Sequence, residues 1–231
     1  MPKAAKKTAT TRTGSAPARK PARARKAGVR APKEGQPLGR QALKTKATRE
    51  KIIAAVIALI KEGGYSNASS SRIADRAGTT WGAAQHHFGS KDEIFTAILD
   101  LSHERFTERM ADPSLRVGSV AERADRFIDR MWQHYQDDIY IVVLEILLAT
   151  RGFHQAKPSS REERHARAHH ETMREIFADI RLDAGRAREV MTFAHFSLTG
   201  LAIEHVFEGK VRNMDRYLQR IKLTMQAMLT A

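Results

Sequence analysis

Between Ser69 and Phe88 the chain reads Ser-Ser-Ser-Arg-Ile-Ala-Asp-Arg-Ala-Gly-Thr-Thr-Trp-Gly-Ala-Ala-Gln-His-His-Phe. Ala74 and Gly78 stand four apart, as two short crossing helices require: alanine permits close approach, and glycine accepts the tight turn. The second helix of such a pair presents its N-terminal side chains and amides to a DNA major groove. Gly82 and Ala83 keep that helix slim enough to approach the groove.

Other residues invite chemistry less strongly. Glu145 and Glu204 fall in apolar surroundings, where an unpaired carboxylate is costly. A salt bridge to an Arg or His is the favoured reading, and a ligand's polar group the alternative. His165 and His169, at i and i+4, have the spacing of a metal pair. With no third ligand evident and an Arg-rich polar face around them, they read as a solvated surface, and no metal or cofactor is expected. The bulky residues Phe106, Met110, Met131, Trp132, Tyr135, Tyr140, Leu144 and Met173 could line a cavity, although each alone serves as readily as plain core. The chain has no Gly-rich phosphate loop, nucleophile elbow or HExxH motif, so an enzyme is not expected. It has no cysteine, which excludes disulfides, thiolate nucleophiles and Cys-ligated zinc.

The elements that must position these residues are helices. Ile52, Ile53, Val56, Ile57 and Ile60 mark one face of a first helix from about Thr45, and Gly63-Gly64 end it. Two short helices follow, Ser69–Ala77 and Thr80–His87. Three capping boxes, Ser90-x-x-Glu93, Ser119-x-x-Glu122 and Ser160-x-x-Glu163, each start a further helix. Ile139–Leu148 is apolar nearly all round. A buried strand fits its pattern, but its length and the lack of a pairing partner favour helix. Two long helices, about Asp183–Glu208 and Asn213–Leu229, close the chain. The expectation is all-α, with about nine helices.

Charge separates the tail from the body. The net charge is +14, yet residues 1–46 hold 14 Lys/Arg against one acid, Glu34, which leaves 26 basic and 25 acidic residues elsewhere. The segment before Leu38 holds five of the seven prolines and almost nothing large and apolar. It is expected to be a disordered arm directed at a polyanion, with a solubilising tail or a transit peptide as weaker readings. No apolar run approaches the ~18 residues of a membrane span, so no membrane partner is expected.

Thr48–Leu99 resembles the DNA-binding domain of the TetR/AcrR family of bacterial regulators. The landmarks are the apolar first helix, Gly64-Tyr65, Ile73-Ala74, Ala77-Gly78 and above all Gln-His-His-Phe-Gly-Ser-Lys at 85–91. Three positions depart from the family pattern. Ala68 replaces a common threonine, leaving the cap to Asn67 or Ser69. Ser70 replaces an apolar residue, and Gln85 replaces a frequent tyrosine, offering an amide to a phosphate or an adenine edge. By position in the motif, Thr79, Thr80, Trp81, Gln85 and His86 are expected at groove or phosphate, and His87 and Lys91 at phosphate. Ser69 and Ser71, at the amide end of the preceding helix, are lesser candidates. Trp81 also suits a core or wedge role. Arg40, Lys44 and Lys46, leading into the first helix, could lie in the minor groove.

The resulting expectation is a basic arm at 1–44, a three-helix helix-turn-helix domain at 45–92 and a larger helical ligand-binding and dimerisation domain at 93–231. Such a chain would be a cytoplasmic homodimer on double-stranded, near-palindromic operator DNA, responding to a small-molecule effector, most simply as a repressor. Apolar residues on two faces of the last two helices supply the dimer surface. The rival reading is an architectural protein that coats DNA through its tail.

Overall fold

The computed structural model describes residues 39–150 and 160–230, with the side chains of 160–162 left aside. The basic segment 1–38, and the reading of it as a disordered arm, lie outside the described residues. Among them run nine helices and no strand: α1 (Arg40–Gly63), α2 (Ser70–Ala77), α3 (Trp81–Phe88), α4 (Lys91–Met110), α5 (Val120–Tyr135), α6 (Asp138–Thr150), α7 (Ser160–Ile176), α8 (Ala184–Glu208) and α9 (Met214–Thr230). Short 3-10 turns occupy Tyr65–Asn67 and Pro113–Arg116. Helix α1 begins five residues before Thr45, so Arg40, Lys44 and Lys46 are exposed positions on a helix and not part of an extended arm.

Most helix starts are fixed within three residues of the break, where the first amides lack intrahelical acceptors. The Ser69 hydroxyl accepts the Arg72 N–H at 3.4 Å, Thr80 accepts that of Ala83 at 3.2 Å, and Ser90 that of Glu93 at 3.2 Å. Ser119 and Glu122 make the full reciprocal box, at 3.3 and 2.8 Å. At Ser90 only the first of the two box bonds is present among the described ones. The box expected at Ser160 involves side chains outside the described residues. Asp183 caps α8 by accepting from Gly185 and Arg186 at 2.7 and 3.0 Å.

The helices enclose two cores. The first gathers Ile52, Val56, Leu59 and Ile60 of α1, Ile73 of α2, Ala84 and Phe88 of α3 and Ile94, Phe95 and Ile98 of α4. It is completed by Val142 and Ile146 of α6, which are 0% and 3% exposed. The second lies among α4, α5, α7, α8 and α9, around Phe106, Phe127, Met131, Phe177, Val190 and Met225. Helices α4 and α6 therefore belong to both, and the expected boundary between residues 92 and 93 cuts no natural joint. Asp137 ties the two shared helices together: it accepts from Arg105 at 2.9 Å, from Arg109 at 2.6 Å and from the Ile139 N–H at 3.1 Å.

The two carboxylates singled out from sequence behave differently from expectation. Glu145 accepts the Tyr65 N–H at 3.0 Å, satisfying a backbone donor in the turn after α1, where an Arg or His partner had been expected. Glu204 is exposed, because it stands on the outward side of α8 beside Gly200, Phe207 and Glu208. Helix α8 is long and apolar enough to cross a membrane by composition, a feature missed by looking for uninterrupted apolar runs. Its Val190, Met191, Ala194, Leu198 and Ala202 nevertheless pack inside the second core, as a core helix requires.

Because α4 and α6 contribute to both cores, loosening one should loosen the other. The two tryptophans report on them separately: Trp81 packs against the first core and Trp132 lies within the second. Single-tryptophan variants, Trp81→Phe and Trp132→Phe, should give coincident fluorescence midpoints in urea. Ile146→Ala should lower both together, by about 2–5 kcal/mol.

Candidate nucleic-acid interface and interior cavity

The interface candidate is built on two eight-residue helices that have little stability of their own. Gly78 closes α2 in the left-handed region at φ 64°, and the Thr79 N–H returns to the Ala74 carbonyl at 3.0 Å. Ala74 is buried where the helices cross, and Ala84 and Phe88 anchor α3 from beneath. Arg49 of α1 fastens the far end: its guanidinium lies 3.8 Å from the centre of the Phe88 ring and donates to the His87 carbonyl. Sequence reasoning missed Arg49, since its partners lie nearly forty residues downstream.

On this frame Ser71, Thr80, Gln85 and His86 are exposed along one region of α2 and α3, as is Gly82. Ser69, Thr79 and His87 are half-buried. Ser69 supplies the cap left open by Ala68, and its hydroxyl lies 3.3 Å from that of Ser71. Trp81 is half-buried against the first core, which favours the wedge role over groove reading. The Lys91 ammonium stands 5.0 and 5.1 Å from the rings of Tyr65 and Phe95, and burial pushes its pKa down. Lys91 is thus tied to packing more closely than a free phosphate anchor would be. Lys46 faces Glu50 at 3.9 Å on α1.

A cavity of about 440 Å³ opens in the second half of the molecule, between α4, α5, α6, α7 and α8. Of the eight residues expected to line such a space, Phe106, Met131, Tyr135 and Tyr140 do so. Met110, Trp132 and Met173 are instead packed in the second core, and Leu144 is half-buried away from the lining. What the sequence did not disclose is that His103, His134, His165, His169, His170 and His195 share the same wall. The expectation of a solvated surface for His165 and His169 is therefore incorrect: α7 turns them inward against α4. His103 Nδ1 lies 2.9 Å from His169 Nε2, and the ring of His165 stacks on that of His103 at 3.9 Å. Among the described residues no three His, Asp or Glu converge to hold a metal ion.

Two of these imidazoles, His134 and His169, are held neutral. Burial, then the charge of Arg109, brings His134 down to about 4. Burial, then the neighbouring histidines, brings His169 down to about 3. His103, His170 and His195 shift the same way, with burial the main cause. Tyr135 is pushed well above the usual phenol range by burial and by Tyr140, whose hydroxyl lies 2.8 Å from that of Thr199.

In the unfolded chain such rings protonate near pH 6.5, whereas in the folded chain His134 and His169 protonate only near 4 and 3. Unfolding therefore takes up protons below pH 6.5. The stability tied to the neutral rings is whole above that value and is lost as the pH falls toward the folded values. The urea midpoint should fall between about pH 7 and about pH 5, above the range where carboxylates titrate. The double variant His134→Gln, His169→Gln should flatten that dependence.

The comparisons with known proteins agree with this geometry. Residues 52–98 match the family model for bacterial regulatory proteins, tetR family. The HTH-type transcriptional regulator CymR of Pseudomonas putida is 22% identical over 182 residues, spanning 76% of this chain and 88% of that one. The crystal structure of a TetR transcription regulator from Haloarcula marismortui superposes with a TM-score of 0.61 at 20% identity, covering 80% of this chain and 97% of that one. The multidrug binding protein EbrR, solved in complex with imidazole, superposes with a TM-score of 0.57 at 17% identity, over 79% and 95% of the two chains. The helix-turn-helix at 52–98 is thus that of the bacterial regulatory proteins of the tetR family, and the all-helical architecture around it is shared with solved TetR-type structures.

Proposed function

We propose that this regulator is a cytoplasmic homodimer that binds a near-palindromic operator through α3 and acts as a repressor released by a small molecule in the interior cavity. The observation that carries the reading is the double membership of α6. Tyr140, near its start, lines the cavity. Val142 and Ile146 lie in the core beneath the recognition helix, and Glu145 holds the Tyr65 amide. A ligand that displaces the cavity wall by a fraction of an ångström acts on a helix that the DNA-binding core is packed around.

Dimerisation is supported by apolar surface on the last two helices. Phe196, Val206 and Phe207 of α8 and Tyr217 and Leu223 of α9 are all exposed, Phe207 at 81%. A second copy related by a two-fold axis would cover them and set the spacing of two recognition helices to successive major grooves. EbrR is a multidrug binding protein, which is consistent with a regulator of this fold that takes small organic molecules.

Within α2 and α3, Gln85 and His86 are the proposed base readers. Thr80 combines capping with a contact through its hydroxyl proton, and Ser69, Ser71, Thr79 and His87 serve the phosphates. Trp81 and Lys91 position the motif more than they read it. Arg40, Lys44 and Lys46 are proposed as backbone contacts from the exposed side of α1.

The test is operator binding by a dimer. Light scattering should give the mass of two chains, and footprinting should find one or a few near-palindromic sites. A stable monomer or uniform coating would refute the reading. Gln85→Ala should cost on the order of 1–3 kcal/mol on operator DNA and little on random DNA. Thr80→Ala also removes the cap, worth about 1 kcal/mol. Thr80→Ser, which keeps the hydroxyl, should retain both the cap and the contact and so bind operator much as the unaltered protein does.

Removing residues 1–38 deletes 11 Lys/Arg and one acid. Total DNA affinity should fall while preference for operator persists. The slope of log affinity against log salt should become shallower by roughly 0.9 for each phosphate the segment neutralises, so about five contacts would change it by about 4 to 5. An unchanged slope would assign the basic segment to something other than DNA.

A further inference from the structure

The wall of the interior cavity contains six of the chain's ten histidines and, among its lining residues, no Asp, Glu, Lys or Arg. We infer that the cavity takes a small organic acid with an aromatic or otherwise apolar body, its carboxylate seated on the His103–His169 pair, and that one proton from solvent is taken up as it binds. This rests on the reading of the cavity as an effector site and names the chemistry of the effector.

Proton bookkeeping carries the argument. One neutral imidazole donates to the other across the 2.9 Å contact between His103 Nδ1 and His169 Nε2. Each neutral ring carries a single N–H, so the pair is left with one outward nitrogen protonated and one bare. Adding a proton to the bare nitrogen makes both outward nitrogens donors and gives the pair a positive charge. That gives a carboxylate a charge-assisted donor and balances its single negative charge.

The surroundings select against the other ligand classes. A cation would meet groups whose only accessible charge is positive. The carboxylates near the wall are engaged: Asp100 lies 3.6 Å from His165, and Asp137 is held by Arg105 and Arg109. A metal ion lacks three converging ligands among the described residues. A neutral apolar molecule would leave the imidazole nitrogens without partners in a desolvated space.

The charged and titratable groups facing the pair are Asp100, Arg105 and Arg109 from α4, His134 and Tyr135 from α5, Asp137 and Tyr140 at and beyond the start of α6, His165 and His170 from α7, and His195 and Arg188 from α8. Burial and the neighbouring rings hold the empty pair neutral, and a bound anion reverses the second of these effects. For the ligand's body there are flat apolar faces: the Phe106 ring centre lies 4.1 Å from that of His169, and Tyr135 and Tyr140 lie 4.3 Å apart.

Calorimetry on the full chain tests this with 2-naphthoate, 3-phenylpropanoate and octanoate, each against its amide, in two buffers of different ionisation heat. At least one acid should bind, with its amide at least about tenfold weaker and about one proton taken up. Its Kd should tighten by up to about tenfold per pH unit between about pH 8 and about pH 6. His169→Gln should abolish proton uptake and the preference for acid over amide. Should that variant not fold, the imidazole proton resonances of the unaltered protein decide, since two of them must move toward their protonated positions on addition of the acid.

Binding of no probe, equal binding of acid and amide, binding without proton uptake, or stoichiometric binding of zinc in place of the acids would each overturn the inference. The underlying reading fails differently. An amide or zinc that binds and weakens operator affinity removes the acid and leaves the effector site. An acid that binds with proton uptake but leaves operator affinity unchanged does the reverse.

Discussion

The architecture depends on α6 being packed into two cores at once. Its start is fixed by Asp137, which accepts the Ile139 amide while two arginines of α4 close on the same carboxylate. From there Tyr140 faces one core, and Val142 and Ile146 fill the other. Protein interiors are packed as densely as organic crystals, so a helix held this way has few positions open to it. Its displacement at one end is felt at the other. Glu145 extends the same constraint to the backbone, because the Tyr65 amide that it accepts lies in the turn between α1 and α2.

The helix-turn-helix is stable for reasons outside itself. Helices as short as α2 and α3 are marginal in water. Each has a side-chain cap at its start, and each places alanines and one larger apolar residue, Ile73 or Phe88, against α1 and α4. Arg49 adds a cross-link that combines a cation over an aromatic face with a hydrogen bond to the last turn of α3. The polar residues Gln85 and His86 can therefore remain exposed without loosening the helix that carries them.

The second half of the molecule uses polarity in a different way. Arg123 is nearly fully buried, and it donates to the Ile176 carbonyl at 3.1 Å and to Asp179 at 2.6 Å, joining α5 to the end of α7. Around the cavity His134 and His169 are instead held neutral, by burial first and by the positive groups beside them second. A group that can change charge at modest cost is thus concentrated where the protein has empty space, and groups with fixed charge are paired where it is solid.

The sequence by itself determined the helices and their breaks, because capping and apolar periodicity are local: Ser69, Thr80, Ser119 and Asp183 each bond to amides two or three residues away. It also determined the helix-turn-helix, whose landmarks fall within a few tens of residues. Tertiary structure alone decided which polar residues meet. His103, His134, His169 and His195 come from four helices, and no spacing along the chain distinguishes a histidine turned toward a cavity from one turned toward water. The i, i+4 pair His165 and His169 looked solvated because arginines flank it in sequence, yet the packing of α7 on α4 turns it inward. Glu145 and Glu204 lie in similarly apolar sequence; one reaches a backbone amide eighty residues away and the other faces outward. The difference is set by the rotation of each helix about its axis, and that rotation is fixed only when all its neighbours are in place.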